Sequence, residues 1–471
     1  MIKFGTSGFR GIIADNFTKE NIQKIGFAFR QFVESRRQKV NVVIGHDNRF
    51  LGREFVEWFC EAACCDMITI TVLTVAVPTP LVAFKAVTFD YGVMITASHN
   101  PYYYNGIAFL LRGGKDANDD FYALISKELG NLKPFQRSNF ADLQEKGMVK
   151  LTDNVEDYTN KILSIINIDK IKTKQLRVLF NPMHGSSTSI MQGLMDKMGL
   201  DYKTINGTVD PNFGDGLPAP YPRNLVGMAK DVVGGKYDFG FALDGDGDRI
   251  TFIDSDGKLY DCNYLAAVFY YYFTEIRKQK STLVKSYFTS NLSARVAKKY
   301  GCDVHETKVG FKFLGAELER THDSIMAAES AGIAFKSVSL KKDAIVAASI
   351  LIEILADTGK HIGKIIKNLA DLADFHSACT EFAYPISPAD TDMYIAKLTA
   401  DVVPQFDYKV VGRNSFPDGY RLCFEGDYWC AVRKSGTESV VRFFAEMPTE
   451  KECLEVITKL EDYYDLFERQ K

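Results

Sequence analysis

The stretch Phe239-Gly-Phe-Ala-Leu-Asp-Gly-Asp-Gly-Asp-Arg249 joins a short apolar run to an acidic turn punctuated by glycine. Phe239 to Leu243 reads as a buried β-strand, and carboxylates follow it at every second position, 244, 246 and 248. On a continued strand they would share one face; with glycines between them the backbone can wrap until they converge on one cation. Oxygen ligands at this density suit a hard cation such as Mg²⁺. The competing calcium EF-hand loop fails on position, since its sixth residue should be Gly and is Arg249, and its twelfth should be Glu and is Ser255. A charged turn straight after a buried strand belongs to an α/β sheet, in which ligands gather at the carboxyl ends of strands.

The same grammar extends in both directions. Val40 to Ile44, Ile68 to Leu73 and Gly92 to Thr96 read as strands, with helical patterns near 19–37 and 54–65 between them. Leu176 to Phe180, Ile250 to Ile253, Thr282 to Phe288 and Ile325 to Ala328 repeat the theme, with a polar helical pattern around 291–300. Strands alternating with helices predict parallel or mixed sheets covered on both faces. Joints are expected in the polar stretch 131–154, at the turn Asp254-Ser-Asp-Gly257 and around 374–390. They divide the chain into an N-terminal α/β unit 1–150, α/β units 151–256 and 257–375, and a smaller α+β unit 376–471.

With 57 Lys plus Arg against 60 Asp plus Glu in 471 residues, the formal charge is −3. Such a balance excludes a dedicated nucleic-acid binder, and any anionic partner must meet a local cluster. At 46% hydrophobic and 25% charged the composition is globular, excluding a disordered or low-complexity chain. The longest apolar run, Ala344 to Leu355, is interrupted by Ser349 and Glu353 and reads as a buried helix rather than a membrane span. The nine cysteines form no C-x-x-C pair, which suggests reduced thiols and a cytoplasmic setting; Cys60, Cys64 and Cys65 read as helix packing ahead of metal binding.

Three further segments carry chemistry-bearing residues. Thr96-Ala-Ser-His-Asn-Pro101 follows a buried strand and exposes Ser98 on a tight loop at a sheet edge. His99 is adjacent, and neighbouring side chains usually point apart, so a Ser-His hydrolase pair is not expected. A serine together with an acidic trio points instead to phosphoryl transfer. Arg433-Lys-Ser-Gly-Thr-Glu438, with Arg442 beyond it, follows the strand-like Trp429 to Val432 and offers a cradle for a dianionic phosphate. At the start, Gly5-Thr-Ser-Gly-Phe-Arg-Gly11 reads either as a flexible turn or as the carrier of a second anion contact, Arg10.

In this order the four segments resemble the α-D-phosphohexomutase superfamily, the phosphoglucomutases and phosphomannomutases, over nearly the whole chain. Gly45-His-Asp-Asn-Arg49, Pro78-Thr-Pro80, Asn181-Pro-Met-His-Gly185, Asp210-Pro-Asn-Phe213 and Lys308-Val-Gly-Phe-Lys312 add lesser matches. The resemblance implies four domains around a central cleft, three of related α/β fold and a smaller C-terminal one. It implies that Ser98 carries the phosphate, with Asp244, Asp246 and Asp248 as Mg²⁺ ligands and the serine phosphate completing the metal site. Arg10, His99, Arg249 and Lys285 then belong to the catalytic set. Glu329, Ser330, Arg433, Ser435, Gly436, Thr437 and Arg442 belong to the substrate-binding set. The implied reaction interconverts a sugar 1-phosphate and 6-phosphate, glucose first, through a sugar 1,6-bisphosphate that serves as intermediate and activator. The partner is a small phosphosugar, with no nucleic acid and no membrane.

The chain also departs from the family. Two residues after Asn105-Gly106, where a lysine is usual, stands Ala108. The sugar-recognition loop reads Ala327-Ala-Glu-Ser-Ala331. Aligning Ser330 and Gly332 to Phe335 with the family, the preferred register, leaves Ala328 at the place of the sugar-contact glutamate. A shift by one residue retains Glu329 and loses the serine. Lys434 and Ser439 stand where prolines are common. These departures keep three alternatives open: a non-catalytic phosphosugar-binding regulator, a phosphopentomutase and a Mg²⁺-dependent sugar phosphatase.

Overall fold

Four β-sheets are strung along the chain in sequence order. The computed structural model describes residues 2–5, 8–435 and 439–467. In the first sheet, Val40–His46 lies parallel to both Ile68–Leu73 and Tyr91–Ile95, and Tyr104–Leu111 returns antiparallel to Tyr91–Ile95. Phe9–Ile12 closes that edge antiparallel to Tyr104–Leu111, placing Arg10 opposite Gly106. The N-terminal motif is therefore a sheet edge from residue 9 and not a flexible turn, because its backbone groups find a ladder partner almost 100 residues away.

The second sheet sets Phe239–Leu243 parallel to Arg177–Asn181 and antiparallel to Ile250–Asp254. Leu259–Tyr260 then pairs with Ile250–Asp254, so the turn expected as a joint is a hairpin inside the unit and the second sheet runs to Tyr260. Gly257, at φ +83°, supplies the left-handed residue that the hairpin needs. In the third sheet, Leu283–Ser286 lies parallel to Val304–Thr307 and Met326–Glu329, and Gly332–Phe335 forms a hairpin with Met326–Glu329. The fourth sheet is wholly antiparallel, from Ala378–Pro385 through Val440–Met447, Trp429–Lys434 and Gly419–Phe424 to Val410–Phe416. Three mixed α/β units and one antiparallel C-terminal unit match the fold class expected from the sequence.

Helices cover the sheets. The apolar run Ala344 to Leu355 lies within the helix Ala344–Thr358, which is buried on every side from Ala344 to Ala356. Its N-terminus is capped by Asp343, which accepts from the Val346 amide, and the Ala344 amide reaches the carbonyl of Gly247 at 3.3 Å. One core runs through the first three units around this helix, so the acidic loop is bolted to a helix that belongs to the next unit by sequence. Cys60 and Cys64 are buried in the core of the first unit, as packing rather than metal binding requires. Among the described residues no helix is long and apolar enough to cross a membrane.

Candidate active site

The strand Tyr91–Ile95 ends at the carboxyl edge of the first sheet and delivers the Ser98 loop. Ser98 takes φ +51°, a left-handed conformation that a serine adopts only under restraint. The restraint is visible. The Ser98 amide donates to Thr96 Oγ1 at 2.8 Å, and the Thr96 hydroxyl in turn donates to Asp47 Oδ2. Arg49, buried beneath the loop, donates from Nη2 to the carbonyls of Ser98 and Asn100, each at 2.6 Å. From Nη1 it donates to the carbonyls of Pro101 at 2.8 Å and Tyr104 at 2.9 Å, while Nε faces Asp47 Oδ2 at 3.3 Å.

The left-handed turn has a consequence that the sequence concealed. It swings His99 Nδ1 to 3.4 Å from Ser98 Oγ, although consecutive side chains were expected to diverge. Burial, and then Arg249, Arg10 and Arg442, hold the His99 imidazole well below its ordinary pKa, so it is neutral at physiological pH. Arg10 donates to Asn100 Oδ1 from the facing strand. Its stem passes over Gly106, where a Cβ would come within 2.9 Å of Arg10 Cγ and 2.4 Å of the Thr96 carbonyl oxygen.

The acidic loop meets this one directly, since Ser98 Oγ donates to Asp244 Oδ2 at 3.0 Å. Asp244 Oδ1 accepts from the amides of Asp248 and Arg249 at 2.9 and 3.0 Å, which folds the loop into a tight arc. Thr79 fixes the middle carboxylate: its hydroxyl donates to Asp246 Oδ2 at 2.6 Å and its amide to the Asp246 carbonyl at 2.9 Å. Asp246 Oδ1 is buried and, among the described residues, has no hydrogen-bond partner. The ligand oxygens of Asp244, Asp246 and Asp248 lie within 4.8 Å of one another, and all three residues are buried.

Burial, then Asp246 and Asp248, push the Asp244 carboxyl well above the usual range. Burial would also raise Asp248, but Lys342, Lys341 and Arg249 outweigh it and its carboxyl is lowered. An orphaned buried oxygen inside a set of hard, mutually repelling oxygens fits a divalent cation such as Mg²⁺.

The C-terminal unit contributes the opposite wall. Arg433 and Arg442 stand directly across from each other on antiparallel strands, a like-charge pair that an anion between them would stabilise. Each is held by a carboxylate, Arg433 Nε by Asp418 Oδ2 at 2.6 Å and Arg442 Nη1 by Glu381 Oε1. Ser435 is buried beside them, its amide donating to the Val440 carbonyl at 2.9 Å. Gly436 and Thr437 lie outside the described residues.

In the third unit the hairpin decides the register of the sugar loop. Ala328 is sealed in the core, whereas the next residue, Glu329, lines the cavity and accepts the Gly310 amide on Oε2 at 3.2 Å. Of the two residues that compete for the glutamate position, Glu329 therefore faces the cavity and Ala328 does not. Ser330 and Ala331 form the tip of the hairpin and also line the cavity. Lys285 does not join the site. Side chains alternate along Leu283–Ser286, so Ser286 faces the cavity while Lys285 is buried on the far side against Glu306 Oε1 at 2.7 Å and Asn291 Oδ1 at 3.1 Å.

Together these walls enclose a cavity of about 870 Å³ touching Arg10, Ser98, Asp248, Arg249, Glu329 and Arg442. The volume accommodates a small, doubly charged ligand. Arg249 lies 3.9 Å from Asp244 Oδ2 and 3.4 Å from the Tyr221 hydroxyl. Sequence reasoning gave no role to Arg49 and Thr79, which hold the two loops, although both lie in motifs that it had singled out.

The chain matches the families described as phosphoglucomutase/phosphomannomutase, alpha/beta/alpha domains I, II and III, over residues 1–134, 156–257 and 261–372. A phosphoglucomutase/phosphomannomutase of Thermococcus kodakarensis is 29% identical, with 96% of each chain aligned. A phosphoglucosamine/phosphogalactosamine mutase of Sulfurisphaera tokodaii is 28% identical over 97% of this chain and 98% of its own. In fold, the chain superposes on a phosphoglucomutase/phosphomannomutase family protein of Burkholderia thailandensis with a TM-score of 0.81 and 23% identity, covering 98% of this chain and 97% of that one.

Proposed function

Because the chain belongs to the phosphoglucomutase/phosphomannomutase family within the α-D-phosphohexomutase superfamily, we propose that it is a phosphosugar mutase that moves a phosphoryl group between C1 and C6 of a hexose through Ser98. One observation carries this reading. A restrained serine, Asp246 and Asp248 of the converging acidic trio, and a pair of facing arginines line a single cavity although they come from three different sheets.

Phosphorylated Ser98 is the donor. A hydroxyl oxygen of the bound sugar phosphate attacks the phosphorus, the P–Oγ bond breaks, and the hydroxyl proton passes to the released Oγ, giving a sugar 1,6-bisphosphate. The bisphosphate turns end for end and returns its other phosphate to Ser98 by the reverse chemistry. Arg433, Arg442 and Ser435 hold whichever phosphate is not reacting, which explains an arginine cradle indifferent to the rest of the sugar. Glu329 is placed to accept hydrogen bonds from sugar hydroxyls. Arg49 and Thr96 keep Ser98 aimed, and neutral His99 offers a proton acceptor beside Oγ. A Mg²⁺ held by Asp244, Asp246 and Asp248 supplies charge neutralisation for the phosphoryl oxygens.

With Glu329 in the cavity, the non-catalytic reading rests on Ala108 alone. Purified protein is to be assayed with a panel of hexose and pentose phosphates, glucose 1-phosphate first, with catalytic bisphosphate and Mg²⁺, alongside intact-mass measurement. Isomerisation without net phosphate release and a one-phosphate adduct absent from Ser98→Ala are expected. Turnover retained in Ser98→Ala would refute the serine, and steady phosphate release would make the chain a phosphatase.

A further inference from the structure

The phosphate cradle carries its own counter-charges, and the mechanism above gives them no role. Glu381 and Ala383 on the strand Ala378–Pro385, and Arg442 and Phe444 on Val440–Met447, line the cavity from one face of the fourth sheet. Ala383 stands directly across from Arg442, and a methyl there leaves the guanidinium room to lean diagonally onto Glu381, which lies opposite Phe444. Arg433 faces Arg442 on one side and Gly419 on the other. A Cβ on Gly419 would come within 2.0 Å of the Val432 carbonyl oxygen, so a bare glycine is what brings the turn at Asp418 against Arg433. Glu381, Arg442, Arg433 and Asp418 thus form a row, minus, plus, plus, minus, whose four charges cancel before any ligand enters.

A seat built only to grip an anion gains nothing from this row. Each carboxylate repels an incoming phosphate and shares the arginine that the phosphate needs, so both lower the net attraction. Nor do they rescue buried charges. The Glu381 and Asp418 side chains are 37% and 36% exposed and their arginines 21% and 20%, so water reaches all four. The mutase reading, in contrast, requires the seat to let go. It holds one phosphate of the sugar in the first half of the cycle and the other in the second, so the bisphosphate leaves it once in every turnover. A seat that bound the intermediate too tightly would trap it.

We propose that Glu381 and Asp418 are positioning residues that temper the phosphate cradle, neutralising Arg442 and Arg433 so that the bisphosphate is held weakly enough to leave and turn within each catalytic cycle. The proposal rests on the mutase reading and adds to it the means of release.

Two titrations on full-length Ser98→Ala protein read the seat without turnover: glucose 1,6-bisphosphate by calorimetry, and inorganic phosphate by phosphorus NMR, which does not depend on the sugar. Because both carboxylates are partly screened by water, Glu381→Gln and Asp418→Asn should each tighten both ligands about threefold to tenfold. Glu381→Asp, which keeps the charge, should stay within about twofold of its parent. A carboxylate that only braced its arginine predicts the opposite sign, since its loss would loosen the seat and weaken binding. In the otherwise native chain Glu381→Gln should lower KM and kcat together, each at least about threefold, because the intermediate leaves more slowly. Unchanged or weaker binding overturns the tempering by that carboxylate, and tighter binding with kcat unchanged overturns its link to release. An inactive native chain would refute the mutase reading instead, while both titrations still judge the carboxylates. Should one variant fail to fold, the other carries the test with the same expectations.

Discussion

Replacing Arg49 by lysine attacks the Ser98 loop from beneath. The guanidinium reaches four backbone carbonyls at 2.6 to 2.9 Å from two separate nitrogens, and its side chain is wholly buried. A lysine keeps the charge but concentrates three donors on one atom at the end of a shorter stem, so two or more of the four carbonyls lose their partner. Hydrogen bonds to a charged donor contribute about 1.5–3 kcal/mol each. Retained attraction to Asp47 offsets part of the loss, leaving a net destabilisation of about 2–4 kcal/mol in the first unit. At ~2–4 °C per kcal/mol for a unit of this size, the melting transition should fall by roughly 4–16 °C.

Ser98 should suffer more than stability. Without the clamp its left-handed conformation relaxes, and a displacement on the order of 1 Å lowers turnover roughly a hundredfold. Scanning calorimetry and a coupled mutase assay on the same preparation would read both effects. Arg49→Lys protein that melts within ~1 °C of the native chain and turns over within about twofold of it would refute the clamp. The loop would then be held by the Thr96–Asp47 chain alone.

Gly106→Ala should destabilise the first unit by about 1–3 kcal/mol and depress turnover, because its Cβ would meet the Thr96 carbonyl at 2.4 Å and the Arg10 stem at 2.9 Å; chemical denaturation with parallel kinetics checks it. Burial pushes the Asp343 carboxyl from 3.8 to about 7, so between those values the native chain holds a proton that the unfolded chain has released. Stability should therefore fall as pH rises from 4 to 7, by up to ~1.4 kcal/mol per unit, and level off above. Asp343→Asn, which still caps the helix, should flatten that slope in melting curves taken between pH 5 and 7.5, and an unchanged slope counts against the assignment. Arg442→Met should raise KM for the sugar phosphate at least tenfold with Mg²⁺ affinity unchanged in calorimetry; KM within twofold would remove Arg442 from the phosphate cradle.

Much of the fold was legible because its strands are short, apolar and β-branched or aromatic, and because charged turns follow them at once. Phe239–Leu243 and Ile68–Leu73 lie where the apolar runs placed them. At the expected joint near Gly257 two further residues, Leu259 and Tyr260, pair back to the second sheet, since a turn sequence is the same whether the next residues pair back or leave the sheet. The converging carboxylates and the loop serine were legible for the same reason as the strands: each occupies a chain-local pattern.

Local order therefore determined the α/β units, the acidic turn, the serine loop and the arginine-bearing tail, because each depends on residues within a few positions of one another. Tertiary structure decided the rest. Whether Lys285 or Ser286, Ala328 or Glu329, faces the cavity depends on the phase of a strand in its sheet, and a strand of only four residues leaves both phases open. That Arg49 grips the Ser98 loop and Lys342 reaches Asp248 depends on which buried charge finds which partner. Those partners lie 49 and 94 residues apart in sequence, and only the folded core, by excluding water, makes each pairing obligatory.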